Sequence, residues 1–279
     1  MTDVALITGC SRGGIGDALA QEFYHKGVRV FASARDLSKM QHLKAMGLDT
    51  VQLDVTSEES IQNAVRYIEK ESGGKLDYLV NNAGVGYLTP LLDADLALAK
   101  NLFDTNFWSV LAMVKAFSPT IIAAKGKIIN IGAVTGVMTQ PYWGINCSCK
   151  AALHMLGDTL RVELAPFDVQ VVTVIAGTIN TTFFENQAKY LNVPENSLYQ
   201  SVQSQINYSA SAEEWRPWTE PSDFAAGVVA NALKKKPKAW YWHGTKTFIT
   251  WLAVTFLPYG FLDFKWLHMS GLNTLRKKT

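Results

Sequence analysis

Four apolar residues, Val4-Ala5-Leu6-Ile7, run straight into Thr8-Gly9-Cys10-Ser11-Arg12-Gly13-Gly14-Ile15-Gly16, and a segment of helical period follows. Strand, glycine loop and helix in that order constrain the chain more than any other feature. Glycines let backbone N–H groups approach a pyrophosphate at a helix N-terminus, and the order is that of the first half of a βαβ unit. A plain tight turn is the alternative reading, and the context favours nucleotide binding.

The rest of the chain repeats the alternation. Apolar, β-branched runs at Val4–Ile7, Val28–Ser33, Thr50–Leu53, Leu76–Val80, Lys127–Ile131 and Val169–Val174 predict buried strands. Helical period separates them at Ile15–Lys26, Leu37–Met46, Glu58–Ser72, Leu96–Ala124 and Ile145–Leu164. Strands alternating with helices predict an α/β fold: one doubly wound, Rossmann-type parallel sheet with helices on both faces. With 279 residues at 48% hydrophobic content, and no repeat or Pro/Gly/Ser linker, one domain is expected over 1–245. A polar, Asn- and Gln-rich stretch at about 178–221 reads as a substrate lid. After a strand-like Ala239–His243, an aromatic extension at 246–279 is expected to pack on the same domain.

Several function classes fall away. A net charge of +2, from 26 Lys and Arg against 24 Asp and Glu, lacks the basic excess of a nucleic-acid binder. Three cysteines make no disulfide framework, and no His and Cys spacing fits a metal site. His25, His42, His154, His243 and His268 read as surface or packing residues. Cys147 and Cys149 read as small half-buried residues of a helix. No basic start and apolar run of a signal peptide precedes the first strand, so a cytoplasmic protein is expected. The run Phe248–Phe264, broken by Pro258 and Gly260 and followed by Lys265 and Arg276-Lys277-Lys278, is marginal as a membrane span. Its Trp251, Phe256, Tyr259 and Phe261 fit a cap on the substrate cavity, which is preferred, or peripheral contact with a bilayer, or association with a partner chain such as a second copy.

The end of the second strand bears on the dinucleotide. An acidic residue there would bind the ribose hydroxyls, and a basic one a 2′-phosphate. Ala34 is followed by Arg35, while Asp36 reads as the N-cap of the next helix. Arg12 in the loop is a second guanidinium, so NADP(H) is favoured over NAD(H).

Thr8-Gly9 with its loop, Asp54-Val55, Asn81-Asn82-Ala83-Gly84, Asn106 and Lys150 come in the order that resembles the short-chain dehydrogenase/reductase family, over residues 4 to about 240. The Gly-Gly-Ile-Gly loop, Gly73-Gly74-Lys75-Leu76-Asp77, the lid and the aromatic extension are most similar to the fungal branch around 1-acyldihydroxyacetone-phosphate reductase. That resemblance implies cofactor contacts from Gly9, Ser11, Arg12, Gly14, Ile15, Gly16 and Arg35. It further implies Asp54 and Val55 at the adenine, Asn82, Ala83 and Gly84 at the adenosine ribose, Lys150 on the nicotinamide ribose, and Gly177, Ile179 and Thr181 after the sixth strand. One residue more than the family pattern stands between Gly9 and Gly14.

The family's proton-handling positions are altered. The resemblance places a Tyr four residues before Lys150 and a Ser thirteen before that Tyr, and the chain has Asn146 and Ala133 there. The usual Pro-Gly after the sixth strand is Ala176-Gly177. Asn146 cannot surrender a proton at neutral pH, and loss of a general acid typically costs about 10²–10⁴ in rate. The catalytic candidates are Lys150, Asn146, Asn106 and, as a substitute acid, Tyr142. Three readings stand. The chain handles a pre-activated, iminium-like electrophile or a cyclising or isomerising intermediate, as in secondary metabolism. Or it is an NADPH-dependent carbonyl reductase using Tyr142. Or it binds NADP(H) without catalysis, by nature or by deliberate inactivation, although two independent losses argue for a natural departure. Trp108, Trp143, Phe183, Phe184, Tyr190 and Tyr199 are candidates for a pocket around an apolar or aromatic small molecule, with core packing the alternative for Trp108.

Overall fold

A computed structural model describes residues 2–188, 191, 193–258 and 260–277. Every strand lies in one seven-stranded sheet of order β3-β2-β1-β4-β5-β6-β7, all neighbours parallel. In chain order the elements are β1 Val4–Thr8, α1 Ile15–His25, β2 Arg29–Ala34, α2 Gln41–Ala45, β3 Asp49–Gln52, α3 Glu58–Ser72, β4 Tyr78–Asn81, α4 Leu96–Phe103, α5 Ser109–Ala124, β5 Lys127–Ile131, α6 Gly144–Glu163 and β6 Gln170–Ala176. There follow α7 Phe183–Ala188, α8 Gln203–Ser211, α9 Pro221–Ala232, β7 Trp240–His243, α10 Thr247–Phe256 and α11 Asp263–Met269.

The doubly wound expectation holds, and its reason is visible in the two cores. On one face Leu19, Ala20 and Phe23 of α1 pack with Ile7, Val30 and Ile129, joined by Phe224, Val228 and Val229 of α9. On the other, Ile61, Val65 and Ile68 of α3 meet Met113, Phe117 and Ile121 of α5 over Leu6, Leu79 and Ile128. A strand covered on both faces must be apolar at successive positions, which is why β1 is buried throughout.

Four expectations need correction. Leu37–Met46 divides into a 3-10 turn, Leu37–Met40, and the short α2, because Asp36 caps only the first piece. Leu96–Ala124 is one helical run long and apolar enough to cross a membrane. A π turn at Asp104–Trp108 interrupts it, and the core absorbs the apolar side of α5. The polar stretch at 178–221 contains α7 and α8 rather than continuous loop. Helix α9 escaped the sequence reading; Pro221 at its first turn and Phe224, Val228 and Val229 at helical spacing are its signals.

In the sheet order β1 is flanked by β2 on one side and β4 on the other, so the chain's winding reverses beside β1. Ligands of open α/β sheets bind in the crevice outside the carboxyl ends of the strands at such a point. The glycine loop after β1 and the Asn82-Ala83-Gly84 segment after β4 both open there.

Candidate active site

The two loops are sewn together from within. Thr8 Oγ1 accepts from the N–H of Asn82 at 3.0 Å and of Ala83 at 2.9 Å. The Asn82 side chain returns to the Thr8 carbonyl at 2.8 Å and the Gly9 carbonyl at 3.2 Å. The Asn82 side chain and the N–H groups of Asn82 and Ala83 thus hold the two loops side by side, at the place where the resemblance puts the adenosine ribose. Thr8, whose brace the sequence reading missed, is the hub.

Close approach explains two glycines. A Cβ on Gly9 would stand 2.8 Å from the Ala83 Cα, and one on Gly16 would stand 2.5 Å from the Gly9 carbonyl oxygen. The loop can therefore lie flat on the helix start. Gly14 precedes α1, no side chain caps that end, and Ile15 and Gly16 open the first turn. N–H groups at such a start, with the helix dipole, suit a phosphate. Ser11 accepts from Gly14 N–H through its carbonyl at 3.2 Å, which folds the loop into a turn. Asp17 Oδ2 takes the Gly13 N–H at 2.8 Å, and its other oxygen meets His42 Nε2 at 2.7 Å.

At the far end of the crevice Arg12 and Arg35 are both exposed, while Ala34 is buried. Asp36 caps the following turn, its Oδ1 accepting from Ser38 N–H at 2.9 Å. Asp54 is half-buried beside buried Val55. Burial opposes the charge of Asp54, but hydrogen bonds from the Thr56 hydroxyl and amide, with the charge of Arg35, outweigh it and hold the carboxyl below its usual range. Beyond β6, Gly177 N–H donates to the His243 carbonyl at 3.0 Å and Ile179 is buried. Thr181 Oγ1 accepts from the Phe183 N–H at 3.3 Å to start α7, which brings the lid beside the loop at Gly13 and Thr182.

The chemistry-bearing positions lie at α6 and the segments around it. Asn146 and Lys150 stand one turn apart on α6, so they share a face. Lys150 Nζ donates to the Ile131 carbonyl at 2.7 Å, and burial lowers its pKa. Asn106, in the π turn, clamps Val85 both ways at 2.8 Å, donating to its carbonyl and accepting from its N–H. Asn146 is buried and donates through Nδ2 to the Tyr87 carbonyl. Ala133 turns its N–H to His154 Nε2 at 3.3 Å.

His154, read as a surface or packing residue, is a packing residue beside the loop at position 133. Its ring fills the space beside Gly132 and Gly136, where a Cβ at either position would stand 2.4 Å from ring atoms. The loop that carries position 133 is thus shaped around an imidazole. Its place four residues after Lys150 was the available signal. Burial, then the charge of Lys150, push its pKa down to about 4.

Tyr142 is placed against its assigned role as substitute acid. Its phenol donates to the Ser270 carbonyl at 2.6 Å. Burial raises its pKa to about 12, so it is a weaker acid than a free tyrosine. It packs with Val202 and Ile206 of the lid region.

Lid and extension enclose a cavity of about 340 Å³, lined by Tyr142, Gln205, Tyr208, Glu214, Trp266 and Met269 among others. Beside it Trp143 meets Phe184 edge-on, and Phe184 stacks on Trp218 at 6.1 Å. Trp108 belongs neither to this pocket nor to the core: it is 54% exposed and lines a surface hollow with Leu96 and Phe103. The cap expected of Phe248–Phe264 falls instead to Trp266, Met269 and Ser270, while Phe248, Phe256, Phe261 and Phe264 face outward. Tyr190, Tyr259 and Lys278 lie outside the described residues. Among the described residues no group of His, Cys, Asp or Glu could hold a metal ion.

The short chain dehydrogenase family pattern matches residues 3–191. Short-chain dehydrogenase ptmH of Penicillium ochrochloron is 42% identical over 96% of this chain and 98% of its own length. NADPH-dependent 1-acyldihydroxyacetone phosphate reductase of Schizosaccharomyces pombe is 40% identical over 70% of this chain and 67% of its own. A crystal structure of a short-chain dehydrogenase from Streptomyces avermitilis superposes with a TM-score of 0.79 at 22% identity, covering 100% of this chain and 98% of the other.

Proposed function

Because this chain belongs to the short-chain dehydrogenase family, a family of oxidoreductases, we propose that it binds NADP(H) and acts on an electrophile that needs no proton from the protein: an iminium-like carbon, or an intermediate that cyclises or isomerises in the pocket. One observation carries the reading. At the positions where the family resemblance calls for hydroxyls stand Ala133, without a polar side chain, and Asn146, whose amide gives one N–H to the Tyr87 carbonyl and has no proton to surrender at neutral pH. Tyr142 offers no replacement while its proton is engaged by Ser270.

The residues present fit the dinucleotide. Gly9 and Gly16 leave a flat loop against which a side chain could not stand, and the open start of α1 faces the pyrophosphate. Arg35, with Arg12, suits a 2′-phosphate, and the relative from Schizosaccharomyces pombe is named as NADPH-dependent. Reduced nicotinamide, when bound, supplies a hydride. Lys150, its ammonium anchored on the Ile131 carbonyl and its proton affinity lowered by burial, would hold the nicotinamide ribose. The aromatic wall of Trp143, Phe184 and Trp218 suits an apolar or aromatic substrate and excludes water, in keeping with a role in secondary metabolism. The experiment that tests the chemistry is the partition of hydride between an iminium and a ketone of the same shape by the unmodified protein.

The cofactor assignment is tested separately. Arg35→Ala should weaken NADPH by roughly tenfold or more and leave NADH nearly unchanged, since a charge-assisted bond contributes about 1.5–3 kcal/mol. Calorimetry decides; equal affinities for NADH and NADPH in the parent protein would sink the assignment.

The outward face of α10, α11 and the turn between them suits contact with a lipid surface. Phe248, Ile249, Phe256, Phe261 and Phe264 are each 62–72% exposed, and Lys246 and Lys265 lie exposed beside them. Aromatic side chains with lysines at their margin suit an anionic bilayer. Flotation with phosphatidylserine vesicles should recover the protein with the lipid, and Phe248→Ser with Phe264→Ser should release it. Recovery in the lipid-free fraction, with dimers seen in sedimentation, would assign the face to a second copy instead.

A further inference from the structure

Three observations set the polarity around the reacting atom. Position 133 presents a methyl group, and its backbone N–H is taken by His154 Nε2. Asn146 donates through Nδ2 to the Tyr87 carbonyl, and because a carbonyl only accepts, that bond fixes which end of the amide is nitrogen. Among the described residues no donor reaches Asn146 Oδ1, although the residue as a whole is only 6% exposed. Where the family resemblance calls for two donating hydroxyls, position 133 offers none, and position 146 offers an acceptor, Asn146 Oδ1, beside the one amide N–H that the Tyr87 carbonyl leaves over.

We propose that Asn146 determines specificity as a hydrogen-bond acceptor: its Oδ1 receives the N–H of a secondary iminium whose carbon takes the hydride. This rests on the iminium reading above and narrows it to substrates that carry a hydrogen on nitrogen. The hydride pair forms the new C–H bond, the C=N π pair retreats onto nitrogen, and the iminium is reduced to a secondary amine with oxidation of the reduced nicotinamide. The N–H proton stays where it was, so no acid is consumed. A ketone oxygen at the same place would oppose Oδ1 lone pair to lone pair. An N-alkylated iminium has the charge but no hydrogen to give.

The test uses three probes of one shape: protonated 1-methyl-3,4-dihydroisoquinoline, its N-methyl iminium salt, and 1-tetralone. With NADPH, the N–H iminium should be reduced roughly ten- to a hundredfold faster than the N-methyl salt, the range expected for one hydrogen bond to a charged partner. With NADP⁺ in place of NADPH, so that no hydride is available, calorimetry should show the same preference in binding. Asn146→Leu should erase it in both measurements; if that variant fails to fold, the preference of the unmodified protein decides alone. Equal rates and equal affinities for the two iminium probes, or a preference that survives Asn146→Leu, overturn the acceptor role while leaving the iminium reading in place. Reduction of 1-tetralone with neither iminium consumed overturns both.

Discussion

Installing the absent pair, Ala133→Ser with Asn146→Tyr, should raise the rate of simple ketone reduction by about 10²–10⁴, the range typical of one general acid with a supporting oxygen-binding donor. The two contributions do not add, because each acts on the same developing alkoxide. The frame for the pair is present. Positions 146 and 150 share a face of α6, and Lys150 is anchored on the Ile131 carbonyl, where its charge would favour the ionised phenol. Position 133 is half-buried on a loop that His154 supports through the Ala133 N–H. Ala133→Ser with Asn146→Phe keeps the ring and removes the proton, and it should show no gain. A stopped-flow assay of NADPH oxidation with a panel of aryl ketones gives the comparison; a gain equal in the Tyr and Phe variants would show that space rather than acid was limiting.

The second large effect is on stability against pH. His154 is 3% exposed, and its Nδ1 has no partner among the described residues. Its folded pKa of about 4 lies below the unfolded value of 6.5, first because of burial and then because of Lys150. Below pH 6.5 the unfolded chain therefore binds a proton that the folded chain refuses. Stability falls as pH drops from 6.5 toward 4 and the loss then levels off. The gap amounts to about 3 kcal/mol over the whole window. His154→Gln keeps an acceptor for the Ala133 N–H and removes the titration. Urea unfolding at pH 7 and pH 4.5 should show the parent losing about 2–3 kcal/mol more than the variant between the two conditions; identical pH dependence would contradict the buried neutral imidazole.

What the sequence made legible follows from which forces act locally. The β1 to α1 unit was readable because Val4–Ile7 is an unbroken apolar run and the glycines follow it closely in the chain. The α3 boundaries Glu58–Ser72 came out to the residue because Ser57 caps one end, accepting from Ser60, and Gly73 with φ 67° closes the other. Helix α9 was hidden behind an irregular polar stretch, although its apolar face completes the core against α1. Asn146 and Ala133 were visible because the family resemblance fixes where a Tyr and a Ser would be counted back from Lys150. Their meaning was not, since it depends on partners far apart in sequence: the Tyr87 carbonyl is 59 residues from Asn146, and the Ser270 carbonyl is 128 residues from Tyr142. No local pattern announces that the Tyr142 phenol donates a hydrogen bond to the extension. The same distance explains the misplaced cap, because only the fold reveals that Trp266 rather than Trp251 meets the lid.

The central claim is that hydride leaves the nicotinamide for a carbon that needs no protein-borne acid. NADPH deuterated at the transferred position, incubated with the unmodified protein and equimolar protonated 1-methyl-3,4-dihydroisoquinoline and 1-tetralone, tests it most directly by mass spectrometry of the two products. Deuterium should enter the amine and be near background in the alcohol, with the partition unchanged in Tyr142→Phe. Deuterium in the alcohol at a comparable rate, lost in Tyr142→Phe, would contradict the account and return the protein to carbonyl reduction with Tyr142 as its acid.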